Sequence, residues 1–175
     1  RQRRKRLHVV QVCDLVALQL QRLERVERLE ALDALNLVRR EHEPLERLEA
    51  VEALGTDPNG TFKTLMVTLD DGRNAIGVVP VSCTLDLKAI AAAAGAKKAR
   101  MTDPTEAERR SGYVVGGISP FGQKQVLETF VDEWATALDE VFCSGGRRGL
   151  EVVVPPDAFA VALDATFAPI AAWPD

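Results

Sequence analysis

The chain has 175 residues, 46% of them hydrophobic, and a formal net charge of −4, which suits one domain with an ordinary core. No stretch approaches the ~20 apolar residues of a membrane span and no signal-peptide pattern is read, so the expected address is the cytoplasm, with no membrane contact. Cys13, Cys83 and Cys143 form no C-x-x-C pair, and His8 and His42 have no helical i, i+4 partner, so neither a disulfide framework nor a zinc site is expected; the reading assigns no metal and no cofactor.

The charge divides unevenly. Residues 1 to 50 hold 11 Lys and Arg against 9 Asp and Glu, leaving residues 51 to 175 at a net −6. So acidic a body excludes a general polyanion binder; any nucleic acid must be met through local basic groups.

Residues 1–44 are rich in Leu, Arg and Glu and lack glycine, so the regular structure they favour is helix. Their apolar positions Leu20, Leu23, Val26, Leu29, Leu32 and Leu35 recur every third residue, a row that drifts around a helix and builds no coiled-coil seam. Residues 45–175 are expected to form the domain. "LEAVEALG" reads as a short helix stopped at Gly55, and "TDPNG" is turn chemistry. Thr61–Leu69 and Ala75–Val79 flank "DDGRN" as a strand–turn–strand pair. "TLDLKAIAAAAG" reads as a helix stopped at Gly95, followed by a short strand through "KKARM". Asp103, with Pro104 after it and Glu106 three residues on, starts a helix that ends near Gly112. "GYVVGGISPFG" is read as a glycine-rich strand-to-loop segment. "VLETFVDE", "EVFCS" and "LEVVV" are strands, and "PPDAFAVALDATFAPIAA" is a closing helix. The mixture predicts an α/β single domain: a curved, mixed, partly barrel-like sheet flanked by helices, with a helical N-terminal leader.

Three stretches can carry chemistry. Lys63 opens the row Lys63, Leu65, Val67 and Leu69, opposite Phe62, Thr64, Met66 and Thr68; an amine there either snorkels to solvent or meets an anion in a pocket. Gly116 and Gly117 either offer unobstructed N–H groups to a developing oxyanion or simply bend the chain before Pro120. "CSGGRRGLE" places Ser144, Arg147 and Arg148 either toward phosphate and ribose or in a solvated hairpin turn.

Taken together, "FKTL" at Phe62–Leu65, "LDLKAIAAAAGAKKARMTDP" at Leu85–Pro104, "GYVVGGISPFGQK" at Gly112–Lys124 and "VFCSGGRRGLE" at Val141–Glu151 resemble the YbaK/EbsC-type aminoacyl-tRNA deacylases, relatives of the editing domain of bacterial prolyl-tRNA synthetases. They stand in the family's order, and the likeness covers roughly residues 49 to 172. It implies removal of a wrongly attached amino acid, with Cys-tRNA(Pro) the characteristic substrate of the nearest subgroup. Such a second sieve is needed because a hydrophobic pocket separates near-isosteres by only ~1–3 kcal/mol.

In the terms of that resemblance, Lys63 and Gly116 are the catalytic pair, the first near the terminal adenosine and its phosphate, the second facing the scissile ester. Phe62, Thr64, Gly117, Ser144 and Glu151 are substrate-binding positions. Apart from the resemblance, Lys97, Lys98, Lys124, Arg147 and Arg148, with Arg100, are the expected nucleic-acid contacts, the groups through which a tRNA-binding module would act. The resemblance also implies that the cysteinyl thiol can act as its own nucleophile, a lysine of ordinary pKa near 10 being a poor base at neutral pH. The sequence departs from the family near its start, where only "EHEP" at Glu41–Pro44 matches an acidic-His-acidic-Pro turn and Arg40 stands at an aromatic position. The expected partners are aminoacylated tRNA(Pro) and prolyl-tRNA synthetase. The competing readings are a deacylase for alanine or serine and a weakly catalytic module that binds tRNA or synthetase.

Overall fold

The computed structural model describes residues 38–41, 57–148 and 150–174. The helix read in "LEAVEALG" and the leader before residue 38 lie outside them. At its end the leader is strand, not helix: Val38–Glu41 (β1) pairs antiparallel with Leu150–Val154 (β8), Arg40 standing opposite Glu151. A free strand edge leaves a row of unpaired backbone groups, and four residues suffice to cover this one.

From β1 the order across the main sheet is β1-β8-β7-β2-β3-β6-β9. The strands not yet given are Thr61–Leu69 (β2), Asn74–Pro80 (β3), Glu128–Asp132 (β6), Val141–Ser144 (β7) and Thr166–Ala168 (β9). Pairs β2–β3 and β7–β8 are antiparallel, whereas β2–β7, β3–β6 and β6–β9 are parallel, so the sheet is mixed, as expected. Among the described residues its path is open, with β1 and β9 at its ends.

Alternation along β2 divides the core. Phe62 and Met66 join Ile76, Val78, Cys143, Val152 and Val154 on one face, covered by Ala107, Phe159, Ala162 and Leu163. Val67 and Leu69 join Ala75, Val79 and Phe130 on the other, under Ile90 and Ala94. The covering helices are Leu87–Ala93 (α1), Pro104–Ser111 (α2) and Pro156–Leu163 (α3). Capping explains two of their starts: Asp86 accepts from the N–H groups of Lys88 and Ala89, and Asp103 from those of Thr105 and Glu106. Gly77 lets α1 lie close to the sheet, since a Cβ there would stand 3.0 Å from Ile90 Cδ1.

Three expected elements differ. The helix in "TLDLKAIAAAAG" begins only at Leu87; Thr84–Leu85 (β4) pairs instead with Ala171–Ala172 (β10), and the Asp86 cap fixes the boundary. "GYVVGGISPFG" contains no strand; its glycines and Pro120 turn it over the first face. The closing helix stops at Leu163, where Asp164 is left-handed at φ 51°, and the chain returns as β9. Asp132 secures that return: its buried carboxylate accepts the N–H groups of Ile170 at 2.9 Å and Ala171 at 2.7 Å. Such charge-assisted bonds can hold a tail that the helix pattern alone does not reveal.

Candidate active site

The site gathers at the start of β2. One edge of this strand is occupied by β3 along most of its length; the other is divided, Thr61 and Phe62 pairing with β7 and Val67–Leu69 with Ala99–Met101 (β5). Lys63 to Met66 lie where those two neighbours part. Thr64 there is 4% exposed, yet its Oγ1 finds no hydrogen-bond partner among the described residues. Leaving a buried hydroxyl unpaired costs about 1–3 kcal/mol, a cost that a bound polar ligand would remove.

Register aligns the polar groups. Phe62 is level with Cys143 across the parallel β2–β7 pair, so the next step sets Lys63 beside Ser144, and Ser144 is opposite Glu151 across β7–β8. Lys63, Ser144 and Glu151 thus form one cross-strand row on one face, each half-buried. The Lys63 amine donates to the Val81 carbonyl at 3.2 Å, and Ser144 Oγ accepts the Gly146 N–H at 3.3 Å. Phe62 and Thr64 point to the opposite face, where Phe62 is 2% exposed within the core. The structure therefore brings Lys63, Ser144 and Glu151 together and sets Phe62 beneath them as packing.

The two glycines arrive from the first face. Gly117 is packed on the turn after β7, where a Cβ would stand 2.9 Å from the Arg148 nitrogen and 3.0 Å from Arg147 Cα. Its N–H is already committed to Val114 O at 3.0 Å, so the expected pair of oxyanion donors reduces to one. Gly116 is exposed and its φ is 89°; its N–H has no partner among the described residues.

Two residues that the sequence reading passed over hold this loop. Glu108 Oε1 accepts the Val115 N–H at 2.8 Å. Tyr113 donates to Phe121 O at 2.8 Å, and its ring fills the space beside Gly146; burial pushes its phenol pKa up. The one available signal was position: Tyr113 is the chain's single tyrosine and directly precedes "VVGG".

The basic residues separate. Arg147, half-buried, and Arg148, exposed, lie in the turn beside the glycines. Lys97 and Lys98 are exposed at the opposite end of β2, their N–H groups on Asp70 Oδ1 at 3.1 and 3.3 Å, roughly 20 Å along the strand from Lys63 at the usual rise per residue. Lys124 is exposed beside the end of α2, its N–H on Ser111 O at 2.9 Å. Among the described residues no three His, Cys, Asp or Glu side chains gather as metal ligands would, and no helix is long and apolar enough to cross a membrane.

Residues 42–161 match the model of the aminoacyl-tRNA editing domain. The chain belongs to the aminoacyl-tRNA editing family, in its YbaK/EbsC branch. A protein of Enterococcus faecalis named as the Cys-tRNA(Pro)/Cys-tRNA(Cys) deacylase EbsC is 34% identical over 118 residues, which are 67% of this chain and 72% of that protein. Among solved structures, hypothetical protein APE2540 superposes with a TM-score of 0.74 at 25% identity, covering 85% of this chain and all of that one. A structure described as a trans-editing enzyme for prolyl tRNA synthetase gives 0.72 at 24% identity, covering 86% and 99%, and shares the fold. The protein is thus an aminoacyl-tRNA editing deacylase, and its substrate class is mischarged aminoacyl-tRNA.

Proposed function

We propose that this deacylase acts in trans, removing cysteine from mischarged tRNA(Pro). The observation that carries the reading is the row Lys63, Ser144 and Glu151, two of whose members flank the β7–β8 turn on which the Gly116–Gly117 loop packs. A cation next to neutral and acidic acceptors suits the 3′-terminal nucleotide, whose phosphate meets Lys63 and whose ribose hydroxyls meet Ser144 and Glu151. The relative named for Cys-tRNA(Pro) and Cys-tRNA(Cys) supports cysteine as the amino acid. Arg147 would meet the acceptor end, and Lys97, Lys98 and Lys124 would meet more distant phosphates. Prolyl-tRNA synthetase is the partner expected to deliver the substrate.

The described thiols make poor nucleophiles. Cys83 is 1% and Cys143 0% exposed, and burial pushes both thiols up in pKa. The cysteinyl group carries its own nucleophile, tethered to the carbonyl it attacks. Its sulfur bonds to that carbonyl as the bond to the ribose oxygen breaks, the thiol proton ends on the ribose hydroxyl, and water opens the resulting thiolactone. Lys63 would hold the leaving nucleotide and Gly116 would donate to the oxyanion, an effect worth about 10²–10³ in rate.

The test is release of amino acid from Cys-tRNA(Pro), Ala-tRNA(Pro) and Ser-tRNA(Pro), with wild type and Lys63→Ala. Cysteine should be released fastest, and the variant should lose about 10² in rate with its fold retained. Equal rates in the two proteins, or release of alanine or serine in preference to cysteine, would overturn the proposal.

A further inference from the structure

We infer that Arg148 is a positioning residue that, with Glu108, locks the orientation of the Val115–Gly116 peptide. The inference rests on reading Gly116 as the oxyanion donor. The Gly117 N–H bonds to Val114 O at 3.0 Å, closing a four-residue turn with Val115 and Gly116 at its centre. Gly116 has φ 89°, and among the described residues Asp164 alone is a non-glycine at positive φ. A positive φ confined to the third position marks a type II turn. Types I and II differ mainly by a half-rotation of the central peptide, and that rotation decides which way the Gly116 N–H points.

The central peptide and the one before it are both held from outside the turn. Arg148 Nη2 donates to the Val115 carbonyl at 3.0 Å. In a trans peptide the C=O and the following N–H point opposite ways, so the Gly116 N–H is directed away from Arg148. The guanidinium also lies against the glycine, Nε being 3.0 Å and Cζ 3.6 Å from where a Cβ would stand. The absence of a side chain at position 116 thus serves the turn and the arginine together. On the preceding peptide, Glu108 Oε1 accepts the Val115 N–H at 2.8 Å, while the Val114 carbonyl receives Gly117. A cation from the β7–β8 turn and an anion from α2 therefore fix two successive peptides, and the donor leaves the pair preset before substrate arrives.

Arg148→Ala, Arg148→Lys and Glu108→Ala test the lock by two readouts. In the substrate-free protein, the Gly116 amide resonance should move and the Gly117 N–H should exchange at least about 10-fold faster in both alanine variants, with the rest of the spectrum unchanged. On Cys-tRNA(Pro), kcat should fall about 10- to 10²-fold with KM and salt dependence kept, and Arg148→Lys, which retains an N–H donor, should recover part of it. An arginine that merely contacts phosphate would instead raise KM, reduce the salt slope by about one and leave kcat alone; that pattern, or unmoved Gly116 and Gly117 amides, would overturn the inference. If wild type releases no amino acid, the functional reading fails, and the amide measurements still decide the lock.

Discussion

The ring of Tyr113 occupies the space in front of Gly146: a Cβ at position 146 would stand 2.7 Å from Tyr113 Cε1. Gly146 also sits at φ 97°, so Gly146→Ala carries a backbone cost of roughly 1–2 kcal/mol and an overpacking cost of about 1–3 kcal/mol. Only the second depends on the ring. In a Tyr113→Ala background the added penalty of Gly146→Ala should shrink to the backbone part, a coupling readable by urea unfolding of the four proteins in the cycle. Additive losses would mean that the two do not press on each other.

Gly116 and Gly117 should fail differently. An alanine at 117 meets Arg147 and Arg148 backbone at 2.9–3.0 Å, which cannot give way without moving the turn, so Gly117→Ala should lower the melting temperature and the activity together. At 116 the nearest atoms are the flexible end of Arg148, and the penalty is chiefly φ, about 1–2 kcal/mol. Gly116→Ala should therefore lose activity out of proportion to stability. Thermal melts beside hydrolysis rates separate the two; a larger stability loss at 116 than at 117 would contradict the packing described.

Lys97 and Lys98 test how far the substrate extends. They stand at the far end of β2 from Lys63, on the loop tied to Asp70. If the tRNA body reaches them, replacing both with glutamine should weaken tRNA binding and reduce the salt slope by about one to two while leaving kcat unchanged. Titrations of tRNA at several salt concentrations give the slope, and an unaltered slope would confine the interface to the Lys63 end of β2.

What could be read in the sequence follows from the range of the interactions involved. The alternation of Thr61–Leu69, the Asp103 cap before Pro104 and the Gly112 stop are local signals, and β2 and α2 stand where those signals put them. The family motifs likewise lie within short stretches, which is why the editing family was legible. β9 and β10 were missed because Thr166–Ala168 and Ala171–Ala172 become strands only through distant partners, β6 and β4. Glu108 was missed for the same reason: its carboxylate meets Val115 across a helix end that no periodicity describes. The row Lys63, Ser144 and Glu151 depends on register between strands about 80 residues apart in the chain, so the residues could be named from the sequence but not their common face.

Cys143 gives the fold a sensitivity to alkaline pH. Its thiol is wholly buried, and burial, reinforced by the nearby Glu151 carboxylate, raises its pKa well above the ordinary value. In the unfolded chain the thiol loses its proton near pH 8.5, whereas the folded protein keeps it. The folded state then binds more protons, so stability is fully present below that pH and falls as pH rises, by up to about 1.4 kcal/mol per pH unit for this group. Cys83, raised chiefly by burial and partly offset by Ser82 and Lys63, acts in the same direction. Cys143→Ala should cost about 1 kcal/mol at pH 7 through lost packing and yet show a shallower decline between pH 8.5 and 10.5. Urea unfolding of both proteins across that range isolates the Cys143 share, since Cys83 and Tyr113 titrate in each, and parallel declines would show that the thiol ionises as readily in the folded protein as in the unfolded chain.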